Sequence, residues 1–292
     1  MRSVAFMTAF LCIGLGAGAQ EGAFTAVIDP SCPLAAEGLK TGWAPDDAVS
    51  VSPLSGDREA PGLEARTEEG GTAARFEGDL PLAAKAVCAV YPAGAVLSWN
   101  PSGKETGTLQ FQTVIKPRQR VVRLAVKDGI ARYADPEVLW LAARPSRKAP
   151  ARFRQVGTYL RFTVPAGASY RLRKVVIKGT RSTAADEPAP TIAGKVNYNL
   201  RDAEVREGFK GSSRQVDVSD AFGQTLQPGT YYVAIRPRYS DDDAKNYPGF
   251  SLLLTDADGR TCPWVPVQTS WPVLEPGALY DLGTLPGELD FE

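Results

Sequence analysis

Apolar and polar residues alternate with a period of two along almost the whole of this chain, and that pattern constrains its fold more than any other feature. Val49 and Val51 alternate with Ser50 and Ser52, and Leu109 and Phe111 with Gln110 and Gln112. Val87, Ala89 and Tyr91 form one face of "KAVCAVYPAG", Val122, Leu124 and Val126 another, and Leu160, Phe162 and Val164 a third. Successive side chains of a strand point to opposite faces, so each run reads as a half-buried strand. Gly, Pro, Asn or Asp bounds each run, as strands joined by turns require. The 23 prolines are spread along the chain, and each lacks the N–H that a helix interior needs. One helix start is legible, Asp135-Pro136-Glu137, but the "VLWLAAR" after it fits a strand equally well. The expectation is an all-β protein of two tandem β-sandwich domains, residues 20–148 and 149–292, which meet in the basic, proline-containing stretch 144–155. Gly56 to Gly71 and Ser240 to Gly249 read as exposed hairpin loops.

Composition narrows the chemistry. The 33 Lys and Arg residues balance 33 Asp and Glu residues, which gives no electrostatic reason to expect nucleic acid as a partner. The chain has no histidine. That count removes Ser–His and Cys–His nucleophiles, histidine bases and every His-containing metal site. No glycine-rich phosphate loop, CxxC pair or serine elbow is present. A hydrolase built on paired carboxylates survives the count, but no motif brings two acids together. The expectation is a protein without catalytic activity, cofactor or metal.

Arg2, the apolar run Val4 to Leu15 and the small residues Ala17-Gly18-Ala19 have the layout of a secretory signal, cleaved between Ala19 and Gln20. Cys12 raises the alternative of a lipidated cysteine, although Leu11 is bulky for the position before it. No later stretch approaches the roughly 20 apolar residues of a spanning helix. Export leaves Cys32, Cys88 and Cys262 in an oxidising compartment. The economical pattern is one Cys32–Cys88 disulfide with Cys262 reduced and buried; three unpaired buried thiols is the alternative.

Asp241-Asp242-Asp243 resembles a calcium site only superficially, because calcium loops space their ligands at alternate positions. Asp256-Ala257-Asp258-Gly259 lacks the remaining ligands of a calcium loop and reads as a hairpin turn, with Gly259 supplying a positive φ. Of the five tryptophans, Trp264 and Trp271 lie among prolines in "CPWVPVQTSWPV" and are the candidates for an exposed aromatic surface.

"TGWAPDDAVSV", Thr41 to Val51, resembles the T-x-W-x-x-G-D-x-I-x-V segment of the fimbrillin-like (Mfa-like) proteins of Bacteroides-type bacteria, which are subunits and accessory components of surface fimbriae. "GGTAARFEGDLP", "AVCAVYPAG", "GTLQFQTVIKPRQ", "VGTYLRFTVPAG", "VVIKG", "IAGKV", "LQPGTYYVAIRP", "LLLTDADGR" and "PGALYDLG" are similar to further segments of that family, in the same order. The resemblance implies transthyretin-like, Greek-key β-sandwiches, export to the cell surface or outer membrane, and a structural or adhesive role. In stalk subunits of the family a protease cuts after an early arginine and removes the first strand; a strand of the next subunit fills the groove. Here Ala23 to Ile28, "AFTAVI", can form that strand. No arginine or lysine lies between Gln20 and Lys40, however, and the first arginine beyond the signal is Arg58. This departure favours a tip, cap or accessory protein over a stalk subunit. Asp46, where the family has glycine, suggests a turn at Pro45-Asp46-Asp47 that needs no positive φ, with Trp43 covering the end of a sheet.

The expected partners are therefore other fimbrial subunits, joined by strand addition, and a surface protein or glycan. The rival reading is a carbohydrate-binding surface protein on the same fold that does not polymerise.

Overall fold

The computed structural model describes residues 22–53, 63–78, 87–94, 96–100, 108–145, 149–180, 191–199, 212–237, 249–266 and 274–292. Its strands are β1 (Gly22–Ile28), β2 (Ala48–Pro53), β3 (Leu63–Arg66), β4 (Ala73–Gly78), β5 (Val87–Tyr91), β6 (Val96–Asn100) and β7 (Thr108–Ile115). They continue as β8 (Arg118–Lys127), β9 (Ile130–Ala134), β10 (Leu141–Ala143), β11 (Ala151–Gln155), β12 (Thr158–Val164) and β13 (Leu172–Gly179). The last are β14 (Ala193–Asn199), β15 (Ser212–Ser213), β16 (Gln215–Asp220), β17 (Gly229–Ile235), β18 (Phe250–Asp256), β19 (Thr261–Trp264) and β20 (Leu279–Thr284). Among the described residues, helix is limited to α1 (Pro33–Ala36) and a 3₁₀ turn, Pro136–Val138. In that turn the Asp135 carboxylate accepts the Glu137 N–H, so both readings of the segment hold: a capped turn first, then strand β10. No described helix is long and apolar enough to cross a membrane.

The strands form a closed barrel in the order β1-β11-β10-β5-β2-β3-β4, a nine-stranded sheet in the order β19-β18-β13-β16-β8-β9-β17-β12-β20, and a four-stranded sheet in the order β15-β14-β7-β6. The sheets cross the boundary expected between residues 148 and 149. Beyond it, β11 lies in the barrel between β1 and β10. Before it, β7, β8 and β9 pair with β14, β16 and β17. Pairing partners far apart in sequence cannot be read from a local alternation pattern.

Trp43 is a core residue and does more than cover a sheet end. It is 4% exposed and meets Phe76, Tyr91 and Phe153 edge to face at 4.9, 5.6 and 5.0 Å, the arrangement that the ring quadrupoles favour. Its indole N–H donates to the Ala26 carbonyl of β1 at 3.0 Å. The chain can turn inward there because Gly42 has no side chain: a Cβ would stand 2.6 Å from the Gly71 carbonyl oxygen. The following turn corrects the sequence reading. Asp46 has φ 68°, the left-handed region that Asp tolerates better than most residues, so aspartate replaces glycine without changing the conformation.

Two buried polar devices hold the nine-stranded sheet, one within it and one from the segment that follows β1. Gln119 is fully buried; its amide donates to the Ala234 carbonyl at 2.7 Å and accepts the Ala234 N–H at 3.0 Å. β9 pairs with β17 only as far as Tyr232, so the Gln119 side chain continues the ladder where β9 has ended. Glu37, just after α1, reaches across to the large sheet. Its carboxylate accepts from Arg161 at 2.8 Å and from the Tyr232 hydroxyl, with Arg132 Nε 3.8 Å away. Arg132 also donates to Thr230 at 2.9 Å, and Arg161 reaches on to Asp281 at 2.7 Å. Burial first, and Glu37 second, push the Tyr232 hydroxyl pKa upward.

Removing one member of a largely buried ion cluster strands the others. The Glu37→Ala variant is expected to lose about 3 kcal/mol of unfolding free energy, read from urea unfolding. A loss smaller than about 0.5 kcal/mol, the range of ordinary surface changes, would show that Glu37 does not hold the two sheets together.

Candidate functional site

The candidate site that the sequence reading names is the set of strand edges together with the first described strand. β1 is that strand. It has an apolar face, with Phe24, Ala26 and Ile28 buried, and its main chain is paired on both sides. Six positions, Gly22 to Val27, are registered antiparallel against β4, and three, Ala26 to Ile28, parallel against β11. Its end is clipped down by Asp29. The Asp29 N–H donates to the Phe153 carbonyl at 2.9 Å, and the carboxylate accepts from Ser31 N, Ser31 Oγ and Arg154 Nε at 3.0, 2.7 and 2.9 Å. Those bonds, Ser31 foremost, lower the Asp29 pKa from 3.8 to about 2.

The first basic residue after β1 is also held. Lys40 pairs with Asp47 at 2.5 Å, both side chains 12% exposed, and its ammonium stands 4.5 Å from the centre of the Tyr91 ring. Tyr91 in turn donates to Asp47 at 3.1 Å. Arg58 lies outside the described residues.

The remaining edges are mostly blunted. A closed barrel has none. In the nine-stranded sheet, edge strand β19 contains Pro263, and Thr261 exchanges main-chain bonds of 2.8 and 3.0 Å with Glu292. The other edge, β20, pairs among the described residues with β12, through an irregular register around Gly283, whose φ is 94°. Proline, bulges and caps are the devices by which native sheets discourage further pairing. β15 is only two residues long. Among the described residues, β6 is the edge without any of these features.

The structure corrects or locates the other sequence candidates as follows. Cys32, Cys88 and Cys262 are all buried and unbridged, so the expected Cys32–Cys88 disulfide is not formed. Leu34 N, two residues from Cys32, donates to the Gln155 side chain, and Gln155 lies opposite Leu141, which lies opposite Tyr91. Cys88 lies three residues before Tyr91 along β5, roughly 10 Å, so pairing attaches the two cysteines at different points of the barrel, whereas a disulfide needs Cα atoms within about 7 Å of each other. Burial raises the thiol pKa of Cys32, and that of Cys88 to about 12, which disfavours the reactive thiolate form of both. Trp264 is half-buried and packed against the core rather than presented as an open platform; Trp271 lies outside the described residues. So do Ala19, Gln20, Cys12 and Asp241 to Asp243. The Asp256–Gly259 segment is a hairpin turn between β18 and β19: Gly259 has φ 88°, and Asp256 Oδ1 accepts from Asp258 N and Arg260 N. Among the described residues, no three His, Cys, Asp or Glu side chains converge as a metal site would require. The Glu37 cluster carries no sequence signal, because each of its members sits in an ordinary strand or turn.

No family model and no curated protein matches the chain. Two solved structures align with most of the chain. One is a candidate cell adhesion protein from Bacteroides ovatus ATCC 8483, 16% identical over 86% of each chain, with a TM-score of 0.48. The other is a candidate cell adhesion protein from Bacteroides thetaiotaomicron VPI-5482, 9% identical over 90% of this chain and 92% of that one, with a TM-score of 0.40. Neither likeness is close enough to assign a family.

The Asp29 clip makes a pH-dependent prediction. A carboxylate whose pKa falls on folding stabilises the fold above its unfolded pKa and loses that effect as pH drops through the folded one. Asp29→Asn is therefore expected to unfold at lower urea than the parent protein at neutral pH, the difference closing as pH falls from about 4 towards 2. A difference that stayed constant over that range would show that the charge of Asp29 does not secure β1.

Proposed function

We propose that this chain is a non-enzymatic surface protein with a structural or adhesive role in a fimbria, a tip or accessory component rather than a repeating stalk subunit. The observation that carries the reading is the double-sided enclosure of β1, with no basic residue before it from Gln20 onward and Lys40 held in an ion pair after it. A stalk subunit must give up its first strand so that another can fill the groove. This chain keeps its first strand as an integral barrel element. Its large sheet ends in blunted edges, which suits a protein that joins an assembly once, and β6 is the edge that could accept one strand. The ordered resemblance from "TGWAPDDAVSV" to "PGALYDLG" supports the fimbrial setting, and the signal-like N-terminus supports export to the cell surface.

The test is treatment with an arginine-specific protease under native conditions, followed by size-exclusion chromatography and mass spectrometry. The expected product is a monomer that still carries β1. A regular ladder of oligomers, formed as β1 is released, would mark a stalk subunit.

A further inference from the structure

The outer face of the nine-stranded sheet carries a cleft of about 350 Å³, lined by Arg120, Arg173, Lys174, Ser219, Gln224 and Thr255, with Gly223 and Gly259 at turns beside it. Four of these residues form a single row across adjacent strands. Arg120 of β8 is registered with Ser219 of β16, Ser219 with Lys174 of β13, and Lys174 with Thr255 of β18. Residues directly opposite on neighbouring strands share a face, so two cations and two hydroxyls stand side by side.

Arg173 joins them through a bulge. The β13–β18 register slips between Leu172 and Lys174, and Arg173 and Lys174 are consecutive residues that both escape burial, between buried Leu172 and Val175. A bulge re-aims a side chain in this way, and bulges are over-represented beside functional sites. In a regular strand Arg173 would face away from Lys174.

Three cations therefore meet in a chain whose overall charge is balanced, and none of the three makes an ion pair among the described residues. The nearby carboxylates are occupied. Asp220 accepts from Phe222 N and Gln224 N, Asp256 and Asp258 from Arg260, and Asp135 from Arg120 N and Glu137 N. Asp217, one row away, accepts from Gln215. The glycines of the two turns, with φ of 75° and 88°, have open space where a side chain would stand, which leaves the mouth of the cleft clear. On the Gly223 turn stands Phe222, 78% exposed.

We propose that this cleft binds an anionic saccharide unit, a sugar bearing a carboxylate or sulfate group. The volume falls in the range of roughly 300–1,000 Å³ typical of small-ligand sites. Arg and Lys side chains meet the oxyanion through charge-assisted hydrogen bonds. Ser219, Thr255 and Gln224 match sugar hydroxyls, and Phe222, exposed on the turn beside the cleft and outside its lining, is the apolar group that a saccharide extending past the mouth would meet. A bare inorganic anion would use the cations alone. The site lies on a different face from the strand pairing proposed above and does not depend on it.

Isothermal titration of the exported protein with a sulfated disaccharide, a uronic-acid disaccharide, a neutral disaccharide and inorganic sulfate tests the proposal. At least one anionic disaccharide is expected to bind, and more weakly as salt is raised. It should lose about tenfold or more in affinity in Arg173→Gln and in Lys174→Gln, each of which removes one charged partner. Phe222→Ala should weaken the disaccharide and leave sulfate unchanged. All three variants alter exposed or half-exposed positions, and an unchanged unfolding midpoint shows that they remain folded. Three outcomes would overturn the proposal: no anionic disaccharide binds, the neutral disaccharide binds equally well, or inorganic sulfate matches the saccharides and Phe222→Ala changes nothing.

Discussion

The structure depends on the double pairing of β1. Its N-terminal six positions lie against β4, which lies in the same third of the chain, and its last three lie against β11, more than a hundred residues away. The barrel therefore closes only when residues 151–155 have returned to the first strand. That requirement ties the two halves of the chain together: β11 completes the barrel, and β12, following directly, enters the large sheet beside β17 and β20. Such pairing between distant segments pays a loop-closure entropy before any contact rewards it. The buried groups near this junction are what hold it once made. Trp43 fixes Ala26 from within the barrel, Asp29 fastens the end of β1 to β11, and Glu37 locks the next turn onto Arg132, Arg161 and Tyr232.

The same constraint bears on the proposed mode of assembly. A first strand enclosed on both edges cannot be exchanged without opening the barrel, and proline, bulge and C-terminal cap discourage pairing at both edges of the large sheet. Side chains on sheet faces and turns are then the surfaces left to the proposed recognition. The cationic row from Arg120 to Thr255 is one of them, created by register and by one bulge. Assembly and ligand binding would then use separate parts of the fold.

Much of this was legible in the sequence, and the exceptions have physical causes. Alternation located the strands because burial follows the pleat: Leu160, Phe162 and Val164 are buried while Arg161 and Thr163 are less so. The turn at Asp256 to Gly259 was legible because glycine after paired aspartates has few other uses. Asp46 misled because aspartate, unlike most residues, accepts the left-handed conformation that its glycine counterpart would take. The Cys32–Cys88 disulfide is not formed, both thiols being buried and free, because lying in one half of a chain does not make two cysteines neighbours: strand register decides that. Trp264 faces a core that no local pattern announces. The cationic cleft had no linear signature, since its residues come from four strands and become neighbours only through pairing.

The central claim is that β1 is a permanent barrel strand, and native-state hydrogen exchange of its amides tests that claim most directly. Strands that open only with the whole fold exchange together and slowly, whereas a detachable strand exchanges by local opening. The account predicts that the amides of Phe24 to Ile28 are protected as strongly as those of β5 and β10 at the centre of the barrel. Exchange of β1 orders of magnitude faster than that of β5, with the rest of the barrel still protected, would contradict it and return the protein to the class of subunits that trade their first strand.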